Sequence, residues 1–372
     1  MAKRKSSKTS KAATRKPTLA GLRTKIDKVD REIVKLMNQR ANLALDIGHI
    51  KTAAGETVYR PEREEEVLAR VIERNKGPLP DGCLRNVYRE LISGSRSLEK
   101  RLRVAYLGPA YSYTHLAAIE RFGQSVELVP VGSIGAVFEE VNQGHVDHGV
   151  VPIENSTDGR IVDTLDMFTK LPVRICGEVQ LAIHHNLLGT CQRDEVREVY
   201  SKPQALSQCR NWLSRHLPTA RVIEMTSTST AAELARDKPG VAAIASRQAG
   251  VFYGLDVLAA NIEDNQANLT RFSVIGETTG AKTGNDKTAL MFGIDHHAGA
   301  LADMMGIFKR NRLNLTWIES FPIPGEVGEY LFFVELVGHV SSVRVKRAIA
   351  SLEKKATRLE VLGSYAMSAP VE

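Results

Sequence analysis

The 372-residue chain has four cysteines, and none is placed to cross-link another. Cys83, Cys176, Cys191 and Cys209 are far apart with no C-x-x-C pair, which argues against a disulfide framework or zinc site and fits a reducing cytosol. The histidine pairs His184–His185 and His296–His297 lack a carboxylate or cysteine at metal-ligand spacing. Both are read as strand-edge or loop residues, and neither a metal nor a redox cofactor is expected. Long apolar runs are missing too: "VAYLGPA" and "YLFFVELVG" are strand-sized, so no membrane span is expected. The opening "MAKRKSSKTSKAATRK" has no apolar stretch like that of a secretory signal, and no acidic residue against seven basic ones. Setting those seven aside makes Lys and Arg equal in number to Asp and Glu. The net charge of +7 therefore belongs to the tail, and the folded body offers no basic face for nucleic acid. Residues 1–16 read as a solvated basic tail, and the protein as cytoplasmic.

What is present falls into three segments of different period. From 17 to 101 the period is helical. Leu19, Leu22, Ile26, Val29, Ile33, Leu36, Leu43, Ile47 and Ile50 step by three and four, a heptad seam that Arg40 interrupts. A helix from Pro17 to Ala53 would run roughly 55 Å at 1.5 Å per residue, longer than a small domain is wide, so it is expected to pack against a second copy of itself. Further helices are expected at "RPEREEEVLARVIERN", with Pro61 suited to a first turn, and at "CLRNVYRELISGSRSLEKRL", whose stripe includes Ser95 with Glu99 one turn on. Residues 102–280 alternate short apolar strands with helices, the pattern of a parallel α/β sheet, in two groups that suggest two lobes around a cleft. "TTGAKTGNDK" reads as a linker. Residues 286–366 read βαββαβ, the ferredoxin-like plan.

Two places ask for chemistry. A cation in an apolar seam is costly unless an anion pairs with it. Lys51 follows Arg40 by eleven residues, which at about 100° per residue brings both cations to one side of the helix. Arg23 points about 100° away and could serve the same pocket only across a dimer. A polar residue that fixes register is the alternative for Arg40. The second place is "GVVPIENSTDGR", where a buried strand ends abruptly in Glu154, Asn155, Ser156, Thr157 and Asp158. Open α/β sheets bind ligands beyond the carboxyl ends of their strands, so this mouth reads either as a site or as a polar turn.

The helical pattern "LRTKIDKVDREIVKLMNQRANLALDIGHIK", "PERE" and "SRSLE" resembles the all-helical chorismate mutase family. That resemblance implies a pocket lined by Arg40, Lys51, Arg63, Glu64, Ser95 and Glu99, with Arg23 supplied by the partner subunit and Lys51 and Glu99 facing the ether oxygen. "VPIENSTDG", "TLDMF", "YSKPQALSQC", "STAAELA" and "YGLDVLAANIEDNQANLTRFSVIG" together resemble prephenate dehydratase. This implies a two-lobed, periplasmic-binding-protein-like α/β fold whose cleft holds Asn155, Ser156, Ser201, Gln208 and Thr270. Glu154 and Arg271 are expected close by, Arg271 either clamping a carboxylate or bridging the lobes as a structural cation, and Ser112 and Thr114 at the helix opening "GPAYSYTHLAA" are placed to hold a carboxylate. The last segment resembles an ACT regulatory domain, implying a phenylalanine site at Gly299, Ala300, Leu301, Glu319 and Ser320.

The whole resembles the bifunctional chorismate mutase/prephenate dehydratase family, which implies an isomerase joined to a carbon-oxygen lyase, acting on chorismate and prephenate as a homodimer or higher homo-oligomer. The chain departs from the family pattern at Arg60, Tyr111 and Phe321, where Asp, Gly and Arg are usual. Tyr111 is expected to rule out a backbone conformation that needs glycine. Two rival readings are a dehydratase whose helical segment only dimerises, and a non-enzymatic amino-acid sensor.

Overall fold

The computed structural model describes residues 18–55, 59–157, 159–322 and 330–371, so the basic tail and Asp158 lie outside it. The chain divides into two compact units, residues 1–56 and 57–372. Among its described residues the first holds one helix, α1 (Leu19–Ala53), whose N-terminus is capped by Thr18 accepting the Gly21 amide at 3.2 Å. Its seam residues are exposed within the chain: Ile26, Ile33, Leu43 and Ile50 all keep large apolar surface in solvent.

The second unit opens with α2 (Pro61–Glu73) and α3 (Asp81–Glu99). Pro61 occupies the first turn of α2 as expected, with Glu62 and Glu64 at the positive end of its dipole. These two helices pack on the α/β body: Ser93 donates to the Phe122 carbonyl at 2.7 Å, and Arg121 pairs with Glu65 at 2.8 Å.

The α/β body has two lobes. The first is built on β1 (Arg103–Leu107), α4 (Tyr113–Phe122), β2 (Glu127–Val131), α5 (Ile134–Asn142), β3 (His148–Asn155), β4 (Gly159–Arg160), α6 (Val162–Lys170) and β5 (Arg174–Ala182). The chain then crosses to the second lobe: β6 (Asn186–Gly189), β7 (Glu198–Ser201), α7 (Pro203–Gln208), α8 (Arg210–His216), β8 (Arg221–Glu224), α9 (Thr228–Arg236), β9 (Val241–Ala245), α10 (Arg247–Tyr253) and β10 (Asp256–Ala259). It returns on β11 (Leu269–Gly276). The second sheet runs β10-β6-β9-β7-β8, and the first β16-β5-β11-β3-β1-β2 with β4 hairpinned onto β3. The sheets are mixed, which corrects the parallel expectation. β1 pairs in parallel with β2 and β3, but β11, arriving from the other lobe, runs antiparallel to both β3 and β5. The two crossings lie side by side, with the Ile183 amide donating to the Asn268 carbonyl and the Ile262 amide to the His185 carbonyl.

The last segment is β12 (Asp286–Gly293), α11 (Ala300–Arg310), β13 (Leu315–Pro322), β14 (Tyr330–Val337), α12 (Val343–Leu352) and β15 (Arg358–Ala366), in the order β13-β14-β12-β15, which is the expected ferredoxin-like plan. A short terminal strand, β16 (Pro370–Val371), extends the first lobe's sheet at β5. Lobe and ferredoxin-like sheet share one apolar core: Val137, Phe138, Phe168 and Ile275 on one side, Met291, Phe321, Phe333 and Tyr365 on the other. Phe321 is thus a core residue. Backbones also meet closely, since a Cβ at Gly363 would stand 2.0 Å from the Ile175 carbonyl oxygen. The expected linker ends in core as well, because Lys287 is only 6% exposed.

Candidate active site

Strand pleating sorts the polar mouth of β3 into two groups. In the β11 register Thr270 faces Asn155 and Arg271 faces Glu154, and successive side chains project to opposite faces. Asn155 and Thr270 share one side, where the Asn155 Nδ2 amide donates to Thr270 Oγ1 at 2.7 Å and to Asn268 Oδ1 at 3.1 Å. Asn268 Nδ2 in turn donates to Gln208 Oε1 at 2.9 Å. Gln208 comes from the second lobe at the end of α7, so lobe two, the crossing segment and lobe one are joined by one string of amides. The same Gln208 oxygen lies 2.8 Å from His185 Nε2. His185 Nδ1 lies 3.0 Å from the Tyr113 hydroxyl, which also sits 2.8 Å from the His184 carbonyl. Burial pushes the Tyr113 phenol well above its usual range, so it keeps its proton. The fully buried Glu263 carboxylate accepts the His185 amide at 2.9 Å and lies 2.8 Å from His184 Nδ1.

His184–His185 lie in the loop between β5 and β6, in keeping with the strand-edge or loop reading, but His185 is 2% exposed and sits inside this network. Asn268, Tyr113 and Glu263 were missed as well. Glu263 and Asn268 lie in "NIEDNQANLTRF" and Tyr113 in "GPAYSYTHLAA", but only the fold and its two crossings bring those stretches to Gln208 and His185.

Arg271 and Glu154 project the other way, and of the two readings of Arg271 its contacts are those of a structural cation. Arg271 donates through both terminal nitrogens to Glu335 of β14, at 2.8 and 2.9 Å, while its Nε lies 3.1 Å from Glu154 without hydrogen-bond alignment. Its guanidinium lies over the Trp317 ring, 5.0 Å from the centroid. Burial works against the Arg271 charge, but Glu335 and its neighbours outweigh it and push the pKa up. Lys287 completes the set, reaching Glu178 at 3.1 Å and Glu335 at 3.7 Å, and Tyr365 donates to Glu335 at 2.7 Å.

Three expected cleft hydroxyls are used within the protein. Ser201 is fully buried and donates to the Ile244 carbonyl at 2.6 Å. Ser156 donates to the Ala267 carbonyl and accepts the Leu269 amide, stitching the β3 mouth to the crossing segment. Ser112 caps α4, accepting the His115 amide at 3.3 Å and donating to the Leu107 carbonyl. Thr114 is buried in the first turn of the same helix.

Tyr111 overturns its expectation by adopting φ +61, the left-handed region. Its ring stacks on Phe252 of the second lobe, centroids 4.1 Å apart, and its amide donates to His115 Nδ1 at 3.0 Å. Those contacts, with Ser229 donating to the neighbouring Ala110 carbonyl at 2.5 Å, offset a strain of about 1–2 kcal/mol.

In the helical segment, Arg40 and Lys51 are half-buried on α1, and Arg23 is exposed. On α2, Arg63 is exposed and pairs with Glu66 at 2.5 Å. The neighbouring Glu64 pairs instead with Arg96, and burial raises its pKa while Arg96 pulls it down. So Arg63 and Glu64 are not brought to one partner, and Arg96 was missed. On α3, Ser95 is buried and donates to the Leu91 carbonyl at 2.7 Å, and Glu99 has a buried Oε2 without a hydrogen-bond partner. A cavity of about 530 Å³ beside Glu64, Ile92 and Phe122 is walled by ion pairs, Arg89–Glu120, Arg96–Glu64 and Arg121–Glu65, which leaves its charge balanced.

At the last segment, Gly299 precedes α11 at φ +88 with open space where a side chain would be, Ala300 is buried and Leu301 is exposed. Glu319 accepts from Arg160 of β4 at 2.7 Å, and the Ser320 carbonyl accepts from the same guanidinium at 3.2 Å. Among the described residues no cluster of His, Cys, Asp or Glu could hold a metal ion, and no helix is long and apolar enough to cross a membrane.

Comparison with known proteins decides between the readings. The prephenate dehydratase family matches residues 104–279 and the type II chorismate mutase family residues 22–100. The bifunctional chorismate mutase/prephenate dehydratase of Aquifex aeolicus is 44% identical over 93% of this chain and 97% of its own length. The chain belongs to the bifunctional chorismate mutase/prephenate dehydratase family. It accordingly carries both activities, an isomerase in the helical segment and a lyase in the α/β segment. A prephenate dehydratase from Arthrobacter aurescens, solved with L-Phe, superposes with a TM-score of 0.67 at 30% identity, covering 72% of this chain and 90% of that one. GqqA, described as a quorum quenching acylase, superposes with a TM-score of 0.65 at 25% identity, covering 72% of this chain and 98% of its own. A shared fold therefore does not choose the reaction; the full-length relatives do.

Proposed function

We infer that prephenate is turned over at the Asn155–Thr270 side of the cleft, with Thr270 as the group that hydrogen-bonds the departing hydroxyl. The observation that carries this is the direction of one bond: Asn155 donates to Thr270 Oγ1, so the threonine's own hydrogen is left to point at a substrate. As the bond from ring to carboxylate breaks, its electron pair aromatises the ring and expels hydroxide, leaving carbon dioxide and phenylpyruvate. A threonine is a weak acid, so its part is to position and stabilise the leaving oxygen rather than to surrender a proton. Gln208 and Asn155 orient the substrate, and the first-turn amides of α4 at Thr114 take a carboxylate. Exchanging Thr270 for Ser and for Val and comparing prephenate turnover tests the assignment.

In the helical segment, residues 17–101, Arg40, Arg63 and Arg23 of a second copy hold the two carboxylates of chorismate, with Ser95 and Glu64 beside them, while Lys51 and Glu99 face the ether oxygen. The rearrangement needs no proton relay, only a compact conformer and stabilised charge. A carboxyl beside an ether oxygen helps only when protonated, so mutase turnover rises toward acid pH. A flat profile, or one rising toward alkaline pH, speaks against Glu99 in this role. The exposed seam of α1 supports a homodimer, because leaving nine large apolar residues in water forgoes about 1.5–3 kcal/mol each. Residues 102–280 form the dehydratase and residues 286–366 an ACT-like module that binds phenylalanine at Gly299, Ala300, Leu301, Glu319 and Ser320. The Arg160 contacts to Glu319 and Ser320 give that site a direct tie to the β3–β4 hairpin. Equilibrium dialysis with phenylalanine tests it. The charge-balanced body and reducing-compartment cysteine pattern support a cytosolic enzyme.

A further inference from the structure

We propose that His185 is a positioning residue for the dehydratase reaction, donating from Nε2 to Gln208 Oε1 and so holding in place the Gln208–Asn268–Asn155 string of amides that presents Thr270 to the substrate. The inference rests on Thr270 being the group that faces the leaving hydroxyl.

A side-chain amide can rotate by half a turn and exchange donor for acceptor, so a string of three has two self-consistent directions. The direction is fixed from both ends. At the Thr270 end the Thr157 backbone amide donates to Asn155 Oδ1 at 2.9 Å, and a backbone N–H cannot become an acceptor. Asn155 must therefore present its Nδ2 to both Asn268 Oδ1 and Thr270 Oγ1. Asn268 Oδ1 also receives the Thr157 hydroxyl at 3.4 Å. Asn268 must then donate to Gln208 Oε1, and that oxygen, 2.8 Å from His185 Nε2, requires a hydrogen there.

Removing the His185 hydrogen releases the far end. Gln208 Oε1 then loses its His185 donor, and Asn268 and Asn155, whose direction the Thr157 amide still fixes, lose part of the support that sets their positions. Asn155 Nδ2 is then presented to Thr270 less accurately, and the Thr270 hydroxyl is less well aimed at the leaving oxygen. The ring lies with Nδ1 3.0 Å from the Tyr113 hydroxyl, whose hydrogen is shared with the His184 carbonyl, and Glu263 accepts its backbone amide, so it acts through Thr270 without touching substrate.

The test is a set of His185 and Thr270 variants in the full chain, read as kcat and KM for prephenate, with chorismate turnover as the measure of correct folding. His185→Leu is expected to lower dehydratase kcat about 30-fold with KM within threefold, and to leave the mutase rate in place. Combined with Thr270→Val it is expected to cost nothing further, because both remove the same interaction. A glutamine places a nitrogen where Nε2 stands, whereas asparagine reaches only the Nδ1 position. His185→Gln is therefore expected to return to within threefold of the parent, and His185→Asn to resemble leucine. Should the leucine variant lose both activities, the two polar variants decide alone. Additive losses in the double variant, or glutamine no better than asparagine, overturn the proposal. If Thr270→Val alone keeps parental turnover, the fault lies with the Thr270 assignment.

Discussion

On one side of β11, Thr270 is held by a string of neutral amides; on the other, its neighbour Arg271 is held by carboxylates. The amide string spans both lobes and the crossings between them, with Asn155 and Gln208 at its ends partly exposed and Asn268 between them buried. The ionic set of Arg271, Glu335, Lys287 and Glu178 joins the lobe to the ferredoxin-like sheet, and its Glu335 is 1% exposed. The contrast teaches a division of labour within one strand. Neutral amides carry direction, because each has a donor and an acceptor end, and they cost little to desolvate when every atom is partnered. Buried charges carry no direction, but punish separation heavily.

Breaking the ionic side has the largest expected effect. Glu335→Leu leaves Arg271 and Lys287 buried with too few anions and is expected to cost about 3–5 kcal/mol in denaturant unfolding, while Arg271→Met with Glu335→Leu recovers much of that. A single variant as stable as the parent contradicts the buried lattice. Acid adds a separate effect that belongs to neither network. Burial lowers His148 from 6.5 to about 4. Between those values the unfolded chain binds a proton that the native one does not, so stability falls as pH drops through that window, by about 3 kcal/mol in all. His148→Gln should flatten this slope in melts recorded from pH 7 to 4. On the neutral side the scale is smaller for stability and larger for rate: Asn268→Ala is expected to cost about 1–3 kcal/mol and to lower dehydratase kcat more than tenfold. A rate unchanged by Asn268→Ala would falsify the amide string as a catalytic support. Smallest of all, Arg160→Ala removes a partly exposed pair worth up to about 1 kcal/mol; it is expected to weaken inhibition by phenylalanine while sparing uninhibited turnover. Equal inhibition in both proteins removes the proposed tie.

Period and motif made the long helix, the two-lobed body and the βαββαβ order legible, and they singled out Asn155, Gln208 and Thr270, which the fold joins in one string of side chains. What they could not show was facing. Glu154 and Asn155 are adjacent letters with opposite destinations, and the assignment needed the β3–β11 register. His185 looked incidental because its partners lie 23 and 72 residues away in sequence. Tyr111 failed differently: its left-handed backbone is affordable only through the stack on Phe252, a tertiary contact that no local rule contains.

The most direct test of the account is prephenate turnover by Thr270→Ser and Thr270→Val in the folded full-length chain. The account predicts that serine, which keeps the hydroxyl, retains most of kcat, and that valine, which keeps only the shape, loses about 100-fold or more. A valine variant that turns over prephenate at the parental rate would contradict it.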